Sequence, residues 1–281
     1  MIRRLLPGLF VAQLSSAAEN SEALALLPDP PTAPDPLAPT RGTARAPHPM
    51  LEKEGHQIQQ MFDEIAPRYD LLNRVFSFSI DLWWRRKAIE SLHAGAGSLI
   101  LDACCGTGDL ALALLEKNPS ARVIGSDFSL GMLQAGRNKN RSGHHPAILA
   151  ADTLHLPFAD CTFDGAMVGF GMRNVVDVDA ALRELRRVLR PGGRLMILEF
   201  TPMQNRWIRP FSDFYQSQIL PRLGNRLSGS QQRAYSYLDE SVRDWPDAER
   251  LAQMIRNAPL HAVRHRTLFP GNVAVHEAVR G

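Results

Sequence analysis

The chain has 281 residues, 44% of them hydrophobic and 22% charged, which is enough for one core of ordinary domain size with sequence left over. Its 32 Lys and Arg against 29 Asp and Glu leave a formal charge of +3, and no basic block interleaved with aromatics marks a nucleic-acid groove, so no nucleic-acid partner is expected. Cys104, Cys105 and Cys161 are odd in number and lack metal-site spacing, so they read as reduced packing thiols with no metal site.

Residues 1–49 hold nine of the 20 prolines and little periodic hydrophobicity, too little apolar surface to offset the entropy of ordering them. They are expected to form a disordered extension. Arg3-Arg4, the apolar run Leu5 to Leu14 and Ser15 to Ala18 have the outline of a short signal peptide. The competing reading is an over-long start, with translation from Met50 or Met61. No uncharged apolar run reaches the roughly 18 residues that a membrane span needs.

From Leu51 the pattern becomes helical, with Met61, Phe62, Ile65 and Tyr69 on one face. Residues 51–95 read as an N-terminal helical cap on a domain spanning 50–281. Strands and helices then alternate: strand Ser98 to Ala103, helix Leu110 to Leu115, strand Arg122 to Asp127, helix Leu130 to Arg137, and a strand around Ile148 to Ala151. Strand Phe163 to Val168, helix Val178 to Leu189, a turn at Pro191-Gly192-Gly193 and strand Arg194 to Phe200 continue the series. In that helix Ala181, Leu182, Leu185, Val188 and Leu189 form the inward stripe, and Arg183, Glu184, Arg186 and Arg187 a solvated outer face. Beyond Thr201 aromatics and arginines follow, from Trp207, Phe211, Phe214 and Tyr215 to Tyr235, Tyr237 and Trp245. A helix near Asp247 to Asn257 and a last strand over Phe269 to His276 end the chain. The alternation predicts an α/β fold with a doubly wound, mostly parallel sheet of about seven strands.

The most informative stretch is Leu99 to Asp109, a buried strand ending in Asp102 and running through Cys104-Cys105-Gly106-Thr107-Gly108 into a helix. In doubly wound sheets ligands bind outside the carboxyl ends of the strands. Asp127 ends the second strand, where a carboxylate accepts from vicinal ribose hydroxyls, so a nucleoside-containing ligand is expected. Gly106-x-Gly108-x-x-Ala111 also satisfies a relaxed dinucleotide fingerprint, which makes an NAD-type oxidoreductase the natural rival. Asp102 and Asp109 argue against it, because negative charge around the turn suits a sulfonium and an α-amino group and repels a pyrophosphate. Asp152-Thr153, after the third strand, suits an adenine amino group and ring edge. These residues together favour S-adenosyl-L-methionine.

Gly169-Phe170-Gly171-Met172-Arg173-Asn174 follows the fourth strand on the ligand-facing rim. Arg173 cannot act as a base, but with Asn174 it can stabilise an oxyanion. The structural alternative is that Arg173 pairs with a carboxylate such as Asp177 or Asp179.

At this point the sequence resembles the ubiquinone/menaquinone biosynthesis C-methyltransferases, a family of class I methyltransferases with a Rossmann-like fold. The resemblance covers about Met61 to His276. It rests on Phe62-Asp63-x-Ile65-Ala66-x-x-Tyr69-Asp70-x-x-Asn73, Asp102 to Asp109, Phe170-Gly171-x-Arg173-Asn174-Val175, Arg187-Val188-Leu189-Arg190-Pro191-Gly192-Gly193 and Leu198-Glu199-Phe200. It implies cofactor contacts at Thr107, Asp127, Asp152, Thr153 and Gly169. Cys105, Gly169 and Asp152-Thr153 depart from the glycine, serine and Asn-Ala that many relatives carry there.

The resemblance implies C-methylation of a prenylated demethylquinol, whose ring carbon is activated by loss of the neighbouring phenolic proton. Arg173 and Asn174 are expected to favour the phenolate, with Asp70 or a water held by it as the base and Asp81 as the weaker choice. Tyr69 and Phe76-Ser77-Phe78 are expected to line the ring pocket or else to pack the cap. The wording of residues 65–73 tilts the acceptor toward a demethylmenaquinol over a benzoquinol. Such a substrate stays in the membrane, so a cytoplasmic enzyme visiting the inner membrane surface is expected. The Arg206–Arg226 stretch reads either as that contact or as an interface between copies of the chain. Outside this reading stand a methyltransferase for a sterol, a phenol or a phospholipid amine, and a non-catalytic binder that keeps the fold.

Overall fold

The computed structural model describes residues 49–137, 139, 146–203, 207, 208, 210 and 241–281. The Pro-rich leader and nearly all of the Arg206–Arg226 stretch lie outside these residues, as do Phe211, Phe214, Tyr215, Tyr235 and Tyr237.

Helices α1 (Pro49–Ile65), α2 (Tyr69–Phe76) and α3 (Ile80–Leu92) come first. The alternating part follows as β1 (Leu99–Ala103), α4 (Asp109–Lys117), β2 (Arg122–Asp127), α5 (Leu130–Arg137), β3 (Ala147–Ala150), β4 (Phe163–Gly169), α6 (Val178–Val188) and β5 (Leu189–Phe200). Helix α7 (Ala248–Asn257) and strands β6 (Leu260–Leu268) and β7 (Val273–Arg280) complete it. The seven strands lie in the order β3-β2-β1-β4-β5-β7-β6. Strands β1 to β5 pair in parallel, and β7 runs antiparallel to β5 and β6.

Every residue of β1 is buried, as a central parallel strand covered on both faces requires. Its alternate side chains build two cores. Leu99, Leu101 and Ala103 pack with Leu182, Leu185 and Ile255 of α6 and α7. Ile100 points the other way, among Trp84, Ile89, Leu110 and Leu114 of α3 and α4. The inward stripe of α6 is completely buried, and Asp177 caps the helix by accepting from the Ala180 N–H at 2.8 Å. That contact occupies one of the acids named above as a partner for Arg173. Arg187, expected on a solvated face, instead ties α6 to the preceding loop: it donates to the Phe158 carbonyl and to Glu184 and Asp160.

Three further expectations are corrected. Strand β5 begins at Leu189, because Pro191-Gly192-Gly193 forms a bulge within the strand: Phe163 pairs with Leu189 and Gly165 with Arg194. Gly192 holds a φ of +78° there, a conformation that suits glycine. Strand β6 escaped notice in the sequence, since His261, Arg264, His265 and Arg266 give it the charged face of an edge strand rather than a hydrophobic alternation. Cys161 is exposed rather than a packing residue.

The first three helices divide their work. Met61, Ile65, Ala66 and Leu72 pack against Met132 of α5 at the sheet's rim. Helix α3 lies on the sheet face, and Trp84 Nε1 donates to the Phe269 carbonyl at 2.7 Å. Strands β1 and β4 are neighbours with connections leaving in opposite directions, so a crevice opens above their carboxyl ends, with α1 and α2 beside it.

Candidate active site

The glycine turn after β1 is held almost wholly by backbone. The Cys105 N–H donates to the Ser126 carbonyl and the Gly108 N–H to the Cys105 carbonyl, each at 2.9 Å. Gly106 and Gly108 take φ values of +55° and +80°, and neither would meet any atom within 4 Å if it carried a Cβ. Backbone conformation is therefore the local demand for glycine here.

Asp127 closes the turn from the side. Its carboxylate accepts from the Gly106 N–H at 2.7 Å and the Ser129 N–H at 2.9 Å. Burial raises its pKa to about 6 even though those N–H groups favour the charged form. Asp152 accepts from the Leu154 N–H at 2.9 Å, and Thr153 Oγ1 lies 3.2 Å from Cys104 Sγ. Burial pushes the Cys104 and Cys105 thiols up, so both stay protonated.

Asp102 is not where the sequence reading put it. It is fully buried behind the turn, and its carboxylate accepts from the Ala111 N–H at 3.0 Å, bracing β1 against the first turn of α4. Burial raises its pKa to about 7, against the lowering effect of Arg85. It shapes the turn without lining the cleft. Asp109 does line it; burial would raise its pKa, but Arg85, Lys139 and Arg74 outweigh that and hold it at about 2.

Asp109 and the glycine turn line a cleft that is open to solvent on one side, as a small-molecule site must be. Its walls bring together Gly106, Thr107, Asp109, Asp127, Asp152, Thr153, Gly169 and Asn174 from the core, with Phe62, Tyr69 and Arg85 from the first three helices. Phe128, Met132 and Leu154 add apolar surface toward the β2 and β3 side. Gly108, at the N-cap of α4, shapes the turn without lining the cleft.

Arg173 is also corrected. Its Nη1 donates to Glu199 at 2.9 Å and to the Phe170 carbonyl at 2.6 Å, with both ion-pair side chains buried. Its guanidinium lies 5.1 Å from the Phe200 ring centroid. Arg173 thus pairs with a carboxylate, as the structural alternative expected, and that carboxylate is Glu199; Arg173 braces the rim from behind while Asn174 faces the cleft.

Asp70 is brought to the glycine turn. It accepts from Thr107 Oγ1 at 2.7 Å and pairs with Lys139 Nζ at 2.5 Å. Asp81 is buried, pairs with Arg74 and accepts from Ser77 Oγ at 2.8 Å. Phe76 packs in the cap and Phe78 is exposed, so of the residues expected to line a ring pocket only Tyr69 does so.

The whole arrangement is a cleft at the carboxyl ends of the strands that ends in a charged, arginine-bearing wall. Over residues 50–280 the chain matches the ubiE/COQ5 methyltransferase family. It belongs to that family. Its methyl donor is S-adenosyl-L-methionine, and the residues present fit it: the glycine turn, the Asp127 and Asp152 carboxylates and Thr153 line one cleft with hydrogen-bonding groups for a nucleoside.

A demethylmenaquinone methyltransferase of Thermus thermophilus is 46% identical over 217 residues, 77% of this chain and 98% of that protein. One from Corynebacterium kroppenstedtii is 42% identical over 233 residues, 82% and 97% of the two chains. Among solved structures, the cyclase SpnF superposes with a TM-score of 0.59 at 17% identity, covering 80% of this chain and 96% of that one. A possible histamine N-methyltransferase from Thermotoga maritima gives 0.57 at 18%, covering 79% and 99%. These structural likenesses establish the class I methyltransferase fold.

Arg85 and Phe62 were missed as cleft residues. Arg85 sits beside Arg86 in a helix with no distinguishing motif, and only the packing of α3 turns one of the two inward. Phe62 was assigned to a helix face, and that face serves both the cap core and the cleft.

Proposed function

We propose that the protein methylates a ring carbon of a reduced demethylmenaquinone, using S-adenosyl-L-methionine as donor. What carries this reading is the likeness, over nearly their whole length, to relatives named for that reaction. The cofactor supplies an electrophilic methyl group. A new carbon–carbon bond forms as the carbon–sulfur bond breaks, and the quinol gives up a phenolic proton.

A phenol has a pKa of about 10, so the site must favour its anion. Asn174 faces the cleft and can donate to the quinol oxygen, while Arg173, fixed by Glu199 and the Phe170 carbonyl, holds that rim in place. Tyr69 and Phe62 offer aromatic surface to a flat ring. Asp70 is engaged by Thr107 and Lys139, so the proton passes to water at the mouth rather than to that carboxylate. Asp127, Asp152, Thr153 and Gly169 hold the donor.

A prenylated acceptor calls for contact with the membrane surface. No helix among the described residues is long and apolar enough to cross a membrane. Leu71, Val75 and Phe78, exposed on and just beyond α2, supply an apolar face suited to lipid. The exposure of these residues supports a contact made by the cap, beside the cleft.

The test is transfer of label from S-adenosyl-L-methionine to reduced demethylmenaquinone by the full chain beside an Asn174→Ala variant. Label in the naphthoquinone, with a rate loss of about 100-fold in the variant on the scale of an oxyanion donor, supports the reading. Label only in a benzoquinol, or in neither, overturns it.

A further inference from the structure

We propose that Asp63 is a positioning residue that latches α1 to the loop after β2, so that the loop carrying Asp127 also sets the aromatic wall offered to the acceptor. This rests on the reading of Phe62 and Tyr69 as that wall.

The Asp63 Oδ1 accepts from Ser129 Oγ at 2.6 Å and from the Gly131 N–H at 2.8 Å. The same Ser129 Oγ accepts from the Met132 N–H at 3.1 Å, and the Ser129 N–H donates to Asp127 at 2.9 Å. One serine thus joins an acid of α1, the start of α5 and the carboxylate that closes the glycine turn. A second tie runs alongside, from Gln59 Nε2 to the Phe128 carbonyl at 2.7 Å.

The local sequence of both helices fits a latch better than a chance surface contact. Asp63 stands in the last turn of α1, which has no basic residue, and an acid there opposes its own helix dipole. The first turn of α5 has no acid, and Asp63 brings one to its free N–H groups. The approach is also close. A Cβ on Gly131 would stand 2.9 Å from both the Cα and the Oδ1 of Asp63, so this seating of α1 calls for glycine.

Phe62, the preceding residue, carries the latch into the cleft. Its ring lies edge-on to Phe128, with centroids 6.4 Å apart, and to Tyr69 at 6.3 Å. All three rings line the cleft. A shift of α1 therefore moves the surface between the end of β2 and Tyr69.

The test measures quinol KM and kcat beside calorimetric affinity for S-adenosylhomocysteine. It is made at about pH 8, above the pKa of about 6 to which burial and, in smaller part, the Asp63 charge raise Asp127. Asp63→Ala should raise the KM about 10-fold, the scale of a charge-assisted hydrogen bond, with kcat and S-adenosylhomocysteine affinity changed less than about 3-fold. Gly131→Ala, which removes no polar group, should act alike by pushing α1 away, and Asp63→Asn, whose amide oxygen still accepts, should stay near the wild type. An unchanged KM in Asp63→Ala overturns the proposal. So does an Asp63→Asn variant as impaired as Asp63→Ala, or a loss of S-adenosylhomocysteine affinity as large as the rise in KM.

Amide hydrogen exchange gives a readout free of the acceptor. S-adenosylhomocysteine should slow exchange over residues 57–65 in the wild type and not in Asp63→Ala, and equal slowing in both overturns the latch. If the wild type methylates no quinol, the acceptor reading fails and this exchange comparison decides the latch by itself. Should Asp63→Ala not fold, the same measurements on Gly131→Ala decide.

Discussion

The two walls of the cleft are built on different principles. The core wall, from the glycine turn through Asp127 to Thr153, is held chiefly by backbone N–H groups donating to backbone carbonyls and to Asp carboxylates. The cap side is tied to the same turn by side-chain charges: Asp70 to Thr107 and Lys139, and Arg74 to Asp109 at the start of α4. A backbone cradle is rigid and indifferent to salt, whereas a network of partly exposed ion pairs weakens as screening increases. The core wall is therefore the fixed surface of the cleft, and the cap wall the adjustable one.

The largest effect should come from breaking the brace beneath the rim. Glu199→Ala leaves the buried Arg173 charge without its partner, an expected loss of about 3–5 kcal/mol in stability, read as the free energy of urea unfolding. A change under about 1 kcal/mol would show that the rim does not depend on the pair.

Next comes the fixed wall itself. Asp127→Ala strips the Gly106 and Ser129 N–H groups of their acceptor and, on the proposed binding mode, the ribose of its anchor. S-adenosylhomocysteine affinity should fall about 100-fold, near 3 kcal/mol, in calorimetry.

The same carboxylate gives the core wall a pH signature. Its pKa in the free protein is raised to about 6, and ribose hydroxyls donate best to the charged form, so binding lowers that pKa. Cofactor affinity should then increase as pH rises toward and through 6, and level off above it. Asp127→Asn should flatten that part of the profile. An unchanged slope in the variant would assign the titration to another group.

The smallest effect tests the adjustable wall. Lys139→Met removes pairs whose side chains are 13–31% exposed, and the expected loss of stability is about 1 kcal/mol after allowing for solvent screening. Its better readout is salt: donor binding by the wild type should weaken between low and high ionic strength more than binding by the variant. Parallel salt curves would mean that the cap network does not report on the cleft.

Much of this contrast was legible beforehand on one side only. Residues 99–109, Asp127, Asp152-Thr153 and the helix and strand boundaries from β1 to β4 follow from local patterns: a buried strand, small turn residues and an acid at a strand end. Local hydrogen bonding dictates such features, so a single stretch of chain is enough to read them. Asp102 shows the limit, because the sequence marked it as important without revealing that its carboxylate turns inward to Ala111 instead of toward the ligand.

The sequence by itself determined the doubly wound sheet, the glycine turn and the carboxylate that closes it, since each is encoded within a few neighbouring residues. The tertiary structure alone decided that Arg173 pairs with Glu199, that Asp70 latches onto Thr107, and that Arg85 faces the cleft. Those contacts join residues 26 and 37 positions apart in the first two cases and depend on how α3 lies on the sheet in the third. Ion pairing between distant side chains leaves no periodic trace in a sequence, because any of the chain's many acids and bases satisfies the same chemistry until packing chooses among them.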